Sequence, residues 1–225
     1  MIQRSCDYLL LRHIRPQVAP GICYGHLDLP AAETPDSACL ELSHEFFQLN
    51  PSALLLCSPL QRASILAEFM SPNLVDDVSN SPVLQVDNRW QEMDFGQWEG
   101  CQWQDIPQED IDLWQQDLTG FSPPEGESAD QMQQRVLSAW QDWLLQQKSG
   151  ILISHVGVIR MILGQVLDLP ISAQLRLEVG YQQGVWLRRI WLEDAGNGQV
   201  QKDSEVWQVK AMNLSASELS QRLSL

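Results

Sequence analysis

The chain has few basic residues and little histidine. Lys and Arg number 14 against 29 Asp and Glu, which gives a formal net charge of -15 at pH 7, and there are only 4 histidines. A surface of this charge repels nucleic acids and anionic membranes, so we expect neither as a partner. Any anionic ligand must therefore be a small molecule that a local cluster of basic side chains binds.

The cysteines lack the patterns that mark a disulfide framework or a zinc site. They are odd in number, no two of them form a C-x-x-C pair, and they lie at Cys6, Cys23, Cys39, Cys57 and Cys101. The apolar run at residues 8–11 is too short for a signal peptide or a membrane span. We therefore expect a reduced, cytoplasmic protein. Because no Asp/Glu spacing is typical of a magnesium site either, we expect no metal or cofactor.

Short apolar runs with abrupt polar ends predict the strands of a mostly parallel sheet, buried on both faces. The clearest runs lie at residues 8–11, 53–57 and 151–153. A weaker strand is predicted at 83–86, and two late strands at 185–187 and 206–209 around a turn at 196–198. The length of 225 residues is compatible with a single domain, residues 1–225.

Helical patterns alternate with these runs. Apolar residues at helical spacing predict helices near 40–49, near 106–118 and from Ser128 onward, where Ser128 and Gln131 form a capping box. Ser58 as N-cap and Pro59 as first helical residue predict another helix that contains Arg62 in its first turn. A last helix is predicted at 156–167. Alternation of strands and helices indicates an α/β fold.

Basic side chains follow three of the predicted strands. They are Arg12 and His13 after the first, Arg62 after the second, and His155, preceded by Ser154, after the run at 151–153. In open parallel α/β sheets, ligands bind at the carboxyl ends of the strands. Two arginines and two histidines at that edge predict an anion site. Phosphate is the best candidate, because a guanidinium group and a helix N-terminus both suit its oxygens.

A histidine inside such a cluster can act as more than an anion ligand. Neutral imidazole is a competent nucleophile towards phosphorus, and the neighbouring cations lower the pKa of His13, which keeps its lone pair free. Transfer to His13 requires a proton for the leaving oxygen. Glu92 is the candidate acid, because its setting of Trp90, Met93, Phe95 and Trp98 favours a protonated carboxyl group.

Five segments of the chain, taken in order, match motifs of one known family. They are residues 11–13, 58–63, 92–100, 124–128 and 154–160. These segments resemble the histidine phosphatase superfamily, in the branch that includes the cofactor-dependent phosphoglycerate mutases. The resemblance implies a three-layer α/β/α sandwich with a helical cap insertion at roughly 96–148. It also implies that His13 is the nucleophile, that Glu92 is the proton donor, and that Arg12, Arg62 and His155 bind phosphate.

The loop at residues 21–30 suggests a narrower substrate class. This loop is similar to that of the alpha-ribazole phosphatase group within the family, which implies a monoester of cobalamin biosynthesis. We expect Tyr24 and Gly25 of this loop, together with Ser58 and Ser154, to contact the substrate. The sequence leaves open whether the protein is a monomer or a homodimer.

Two other functions remain open. A mutase would return the phosphoryl group from His13 to a substrate instead of to water. A binding or regulatory protein would keep the phosphate pocket without turnover. Ile14, Ala19 and Val156 depart from the residues usual in the family, which makes the second alternative worth testing.

Overall fold

The computed structural model describes residues 1–71, 82–194, 200 and 204–223. In chain order, its strands and α-helices are β1 (Ile2–Arg12), α1 (Ser37–Leu49), β2 (Leu54–Cys57), α2 (Gln61–Phe69), β3 (Leu84–Val86), α3 (Gln108–Gln116), α4 (Ala129–Leu145), β4 (Gly150–Ser154), α5 (Val156–Leu167), α6 (Ile171–Gln174), β5 (Gln183–Glu193), β6 (Val206–Ser215) and α7 (Ala216–Leu223). Short 3-10 helices lie at Asn88–Trp90, Gly96–Trp98 and Trp103–Asp105.

The strands form one sheet in the order β3-β2-β4-β1-β5-β6. β3, β2, β4 and β1 pair in parallel with one another, and β5 and β6 extend the sheet through the antiparallel pairs β1-β5 and β5-β6. Arg12, the last residue of β1, is in register with Ser154, the last residue of β4. The carboxyl ends of the central strands therefore lie side by side, and the predicted mostly parallel sheet is confirmed.

Helices cover both faces of the sheet because the side chains of β1 alternate between two cores. Tyr8 and Leu10 belong to the core that contains residues of α4 and α5. Leu9 and Leu11 belong to the core that contains residues of α1, α2 and α7. All four side chains are fully buried. This arrangement confirms the predicted three-layer α/β/α sandwich.

The predicted insertion at 96–148 extends too far at its C-terminal end. The capping box at Ser128 and Gln131 starts α4 as predicted, but α4 packs on the sheet. Trp140 and Trp143 of this helix each lie 5.0 Å from the ring of Tyr8, between centroids. Helical spacing predicts an apolar face without showing which surface that face covers.

The remaining part of the insertion, residues 96–127, forms the roof. Its side chains form a small, mostly aromatic cluster with Cys23 and Phe95; the members from the roof are Trp98, Trp103, Ile106, Ile111, Trp114 and Phe121. The roof is thus fastened through Cys23 to the loop that follows β1.

The start of α2 differs from the prediction. The helix begins at Gln61, with Leu60 in the N-cap position, so Ser58 is not the N-cap. The hydroxyl group of Ser58 pairs with a histidine side chain instead, as described below. Arg62 still lies in the first turn, as predicted.

Two short helices, α6 and α7, were not predicted, although Ser215 and Glu218 form a capping box at the start of α7. The predicted turn at 196–198 lies outside the described residues. No helix in the described part of the chain is both long enough and apolar enough to span a membrane.

Candidate active site

The sheet edge brings the predicted basic side chains together. His13 continues β1, and its backbone N–H donates to the carbonyl oxygen of Ser154 at 2.8 Å. His155 directly follows β4 and occupies the N-cap position of α5. The two imidazole rings lie 4.8 Å apart, between centroids. His13, His155 and Arg62 are all buried.

The protonation of His13 follows from its surroundings. Nδ1 lies 2.5 Å from the carbonyl oxygen of Ile14, which can only accept, so Nδ1 carries the hydrogen. Burial, and then the charges of Arg62 and Arg12, hold the pKa of His13 well below its usual value of 6.5. The ring is therefore neutral, and Nε2 carries a free lone pair.

Ile14 has a structural role at this point of the chain. Its side chain is fully buried in the core that contains α1 and α2. Its backbone N–H donates to the carbonyl oxygen of Arg62 at 3.2 Å, while its own carbonyl oxygen holds the His13 ring. The departure from the family at Ile14 thus leaves both neighbouring site residues anchored.

Ser58 orients the second histidine. Its hydroxyl group lies 2.8 Å from Nε2 of His155, and both residues are fully buried. Burial, and then the nearby His13, Arg62 and Arg12, lower the pKa of His155 well below its usual value. An anion bound beside this ring would favour its protonated form.

Arg62 is held by the loop that follows β1. Its Nη1 donates to the carbonyl oxygen of Leu27 at 2.8 Å, and its Nη2 to that of Gly25 at 2.5 Å. Gly25 is buried, and an added Cβ there would clash with the carbonyl oxygen of Met93. Gly25 therefore fixes Arg62; it is not among the residues that line the cavity, and its contact with substrate stays a prediction.

Ser154 uses its side chain within the protein, and its contact with substrate stays a prediction. Its fully buried hydroxyl group donates to the carbonyl oxygen of Trp90 at 2.6 Å. This bond ties the end of β4 to the segment that precedes Glu92. Ser154 and Ser58 both use their hydroxyl groups within the protein, so they shape the site without facing it.

A tyrosine pair lies beside the arginines. The guanidinium carbon of Arg12 lies 3.9 Å from the ring centroid of Tyr181, and its Nη1 donates to the carbonyl oxygen of Val179 at 2.8 Å. The hydroxyl groups of Tyr181 and Tyr24 are 2.9 Å apart. Burial raises the pKa of Tyr24 to about 12, so its hydroxyl group stays protonated. The sequence predicted Tyr24 but carried no signal for Tyr181.

Two backbone donors hold the carboxylate of Glu92. Oε1 accepts from the N–H of Met93 and Oε2 from the N–H of Gly157, in the first turn of α5, each at 3.0 Å. The prediction of an apolar setting is thus incomplete, because two backbone N–H groups donate to the carboxyl oxygens. Gly157 leaves no free space, since an added Cβ would overlap Oε1 of Glu92.

A cavity of about 310 Å³ opens above the cluster. One end is polar and is lined by Arg12, His13, Tyr24, Arg62 and Glu92. The rest is mostly apolar and is lined by Met93, Phe95, Trp103, Trp114, Leu118, Ala129, Met132, Val156, Gly157, Met161, Ile171 and Leu175, with Arg160 and Gln174 as polar members. Most residues of this wall were not predicted from the sequence. Arg160 lies within the segment at 154–160, of which it is the last residue.

Three buried nitrogen atoms at the polar end have no hydrogen-bond partner within the described residues. They are Nε of Arg12, Nε of Arg62 and Nδ1 of His155. Unpaired buried polar atoms are costly, and an oxyanion could accept from the two arginine N–H groups. Across the part of the chain that the structure describes, no group of three or more His, Cys, Asp and Glu side chains could hold a metal ion.

Comparison with known sequences gives one family and several relatives. A sequence model of the histidine phosphatase superfamily (branch 1) matches residues 8–191. An adenosylcobalamin/alpha-ribazole phosphatase of Escherichia coli is 29% identical over 187 residues, which cover 79% of this chain and 86% of that protein. A bifunctional protein of Mycobacterium tuberculosis is 35% identical over 133 residues, 56% of this chain. The chain matches only 34% of that protein's length, about a third.

Solved structures share the fold across nearly the whole chain. The alpha-ribazole phosphatase from Shigella flexneri superposes with a TM-score of 0.65 at 22% identity, covering 92% of this chain and 96% of the other. The native mycobacterial glucosyl-3-phosphoglycerate phosphatase gives a TM-score of 0.70 at 20% identity, covering 94% and 100%. At these identities the likeness shows the fold alone.

Proposed function

The chain belongs to branch 1 of the histidine phosphatase superfamily, and from this premise we propose that it hydrolyses small-molecule phosphate monoesters through a phosphohistidine on His13. The observation that carries the proposal is the state of His13. Its ring is neutral, its Nδ1–H is held by the carbonyl oxygen of Ile14, and its Nε2 is free beside two cationic arginines. That is the state a nitrogen nucleophile needs.

The first step transfers the phosphoryl group to His13. Nε2 attacks phosphorus, the bond from phosphorus to the leaving oxygen breaks, and the carboxyl group of Glu92 gives its proton to that oxygen. Backbone donors from Met93 and Gly157 hold its carboxyl group at the wall of the cavity.

The second step returns the phosphoryl group to water. Glu92, now a carboxylate, takes a proton from a water molecule whose oxygen attacks phosphorus, and the bond to Nε2 breaks. Inorganic phosphate leaves, and His13 is neutral again. Throughout both steps Arg12, Arg62 and His155 are placed to stabilise the charge on the phosphoryl oxygens.

We further propose a substrate with a flat, largely apolar leaving group, as in alpha-ribazole 5'-phosphate of cobalamin biosynthesis. Most of the cavity wall is apolar, and the rings of Trp103 and Trp114 stack in the roof at 5.8 Å with an interplanar angle of 11°. Such a wall buries an aromatic ring favourably. The name of the Escherichia coli relative supports the same substrate.

A panel of monoesters tests this substrate class. We expect kcat/KM to be roughly 10-fold or more higher for alpha-ribazole 5'-phosphate than for glucosyl-3-phosphoglycerate, because only the former has an aromatic ring that the mostly apolar wall can bury. Phosphate release is the measurement. Equal values, or the reverse order, would contradict the substrate class while leaving the phosphohistidine chemistry intact.

Gly157→Ala tests the position of the proton donor. The added methyl group would overlap Oε1 of Glu92 and lie 2.9 Å from Cε of Met132. We expect kcat for an alkyl phosphate to fall roughly 10²-fold, as for loss of a positioned acid, with little change in the Kd for inorganic phosphate. Gly120→Ala is the matched control, because its added methyl group meets only the exposed side chain of Asp117. Wild-type kcat in Gly157→Ala would contradict this role of Glu92.

We also propose that the enzyme works in the cytoplasm. Four of the five cysteines are buried free thiols, which suits a reducing compartment.

A homodimer is proposed through the edge formed by β6, where Val206, Val209 and Met212 are exposed. Light scattering on the purified protein distinguishes the dimer from a monomer.

A further inference from the structure

Arg135 of α4 and Glu127 form a two-bond ion pair behind the site. Nε of Arg135 donates to Oε2 of Glu127 at 2.9 Å, and Nη2 donates to Oε1 at 2.5 Å. The two side chains are only 20% and 16% exposed. Paired charges at this depth are more strongly coupled than surface pairs and hold a fixed geometry.

The remaining donors of Arg135 all hold the segment that leads to Glu92. Nη1 donates to the carbonyl oxygens of Arg89 and Gln91 at 3.0 and 2.8 Å, and Nη2 donates to that of Glu92 at 2.7 Å. With the two bonds to Glu127, all five N–H groups of the guanidinium are used. Lysine, with three donors on one nitrogen, cannot reproduce this set.

Glu127 holds the same loop from the other side of Glu92. Its Oε1 accepts from the backbone N–H of Asp94 at 3.0 Å, and its own N–H donates to the carbonyl oxygen of Asp94 at 3.0 Å. The pair therefore fixes the backbone immediately before and after the proton donor. Between the 3-10 helices Asn88–Trp90 and Gly96–Trp98, this loop has no regular secondary structure of its own.

We infer that Arg135 and Glu127 are positioning residues that hold Glu92 within reach of the leaving oxygen. Neither side chain lines the cavity, so we assign neither of them a contact with the substrate. A general acid must come within about 2.6–3.2 Å of the atom that it protonates, and a misplacement of about 1 Å can cost roughly 10²-fold in rate. This inference rests on the proposed function. Within that function, the ion pair keeps Glu92 in place for the proton transfer to the leaving oxygen.

Two substrates with different leaving groups can show whether Arg135 positions Glu92 or only stabilises the fold. An alkyl oxygen needs a proton as it leaves, whereas a dinitrophenolate leaves without one. In rapid-quench single turnovers of Arg135→Gln, we expect phosphorylation of His13 by an alkyl phosphate to slow roughly 10²-fold. Phosphorylation by dinitrophenyl phosphate should slow less than about threefold, because it does not depend on general acid catalysis.

Arg89→Gln is the matched control. Arg89 also joins this segment to α4, through bonds to Ser138 at 3.1 Å and to Asp142 at 2.7 Å, but its side chain does not hold the loop around Glu92. We expect both phosphorylation rates to stay near those of the wild type. Glu127→Gln, which keeps the side-chain volume, provides the same comparison if Arg135→Gln does not fold.

Failure of this inference and failure of the proposed function would give different results. Equal slowing for both leaving groups, or no slowing for either, in the folded variants would overturn the positioning role. Absence of His13 phosphorylation by dinitrophenyl phosphate in the wild-type protein would overturn the proposed function itself. A selective loss for the alkyl ester supports the inference.

Discussion

His13→Asn is expected to lower kcat for monoester hydrolysis by roughly 10⁴ or more, because the variant has no nitrogen lone pair for covalent catalysis. Asparagine is smaller than histidine, but its amide N–H can still donate to the carbonyl oxygen of Ile14, so the fold should persist. The neutral ring with a free Nε2 is what the variant removes. Phosphate release from para-nitrophenyl phosphate and from an alkyl phosphate measures the effect.

His44→Asn is the control for this change. His44 lies in α1 and does not line the cavity, so we expect its kcat to stay within about twofold of the wild type, as for a substitution away from the site. Both variants should unfold at temperatures close to that of the wild type. Retention of normal turnover by His13→Asn would show that another group attacks phosphorus.

Arg62→Gln is expected to lower kcat/KM by roughly 10²–10³, the range seen when one preorganised group that stabilises the transition state is lost. Arg62 is fully buried, and its neighbours Gly25 and Leu27 offer it only neutral carbonyl groups. Its charge is therefore available to the phosphoryl oxygens. Arg222→Gln, at an exposed arginine of α7, is the control and should retain wild-type kcat/KM.

The same variant should change the pH profile. Burial is the largest cause of the lowered pKa of His13, and the charge of Arg62 is the next. Removing that charge raises the pKa of His13 towards its usual value of 6.5, so more of the nucleophile is protonated at acidic pH. The acid limb of kcat/KM should therefore move to higher pH, measured between about pH 5 and 8. An unchanged acid limb would mean that the charge of Arg62 does not affect the pKa of His13.

The sequence was sufficient to locate the basic cluster because it depends on strand ends. Runs such as residues 8–11 and 151–153 are short, apolar and abruptly terminated, so the residues that follow them must leave the sheet at one edge. The structure places His13 and His155 at that edge, with ring centroids 4.8 Å apart. Nothing more than strand direction was needed for this part of the prediction.

Partners that are distant in sequence could not be predicted in the same way. Ser58 looked like an N-cap from its neighbours, but its hydroxyl group pairs with His155, 97 residues away. Tyr181 follows α6 without any pattern, and its role depends on its contact with Arg12. Arg135 lies on a helix whose capping box was recognised, but its five bonds depend on how α4 docks against the loop of Glu92. How α4 packs against this loop depends on the whole folded chain, and no local sequence pattern predicts it.

The central claim is a covalent bond between phosphorus and His13, and it can be observed directly. The wild-type protein is mixed with dinitrophenyl phosphate and quenched within the first turnover into alkaline denaturant, in which phosphohistidine survives. Mass spectrometry of the peptides then locates the phosphoryl group. We predict that it lies on His13 and is absent from His13→Asn. Turnover without any phosphorylated histidine, or with the phosphoryl group on another residue, would contradict the mechanism.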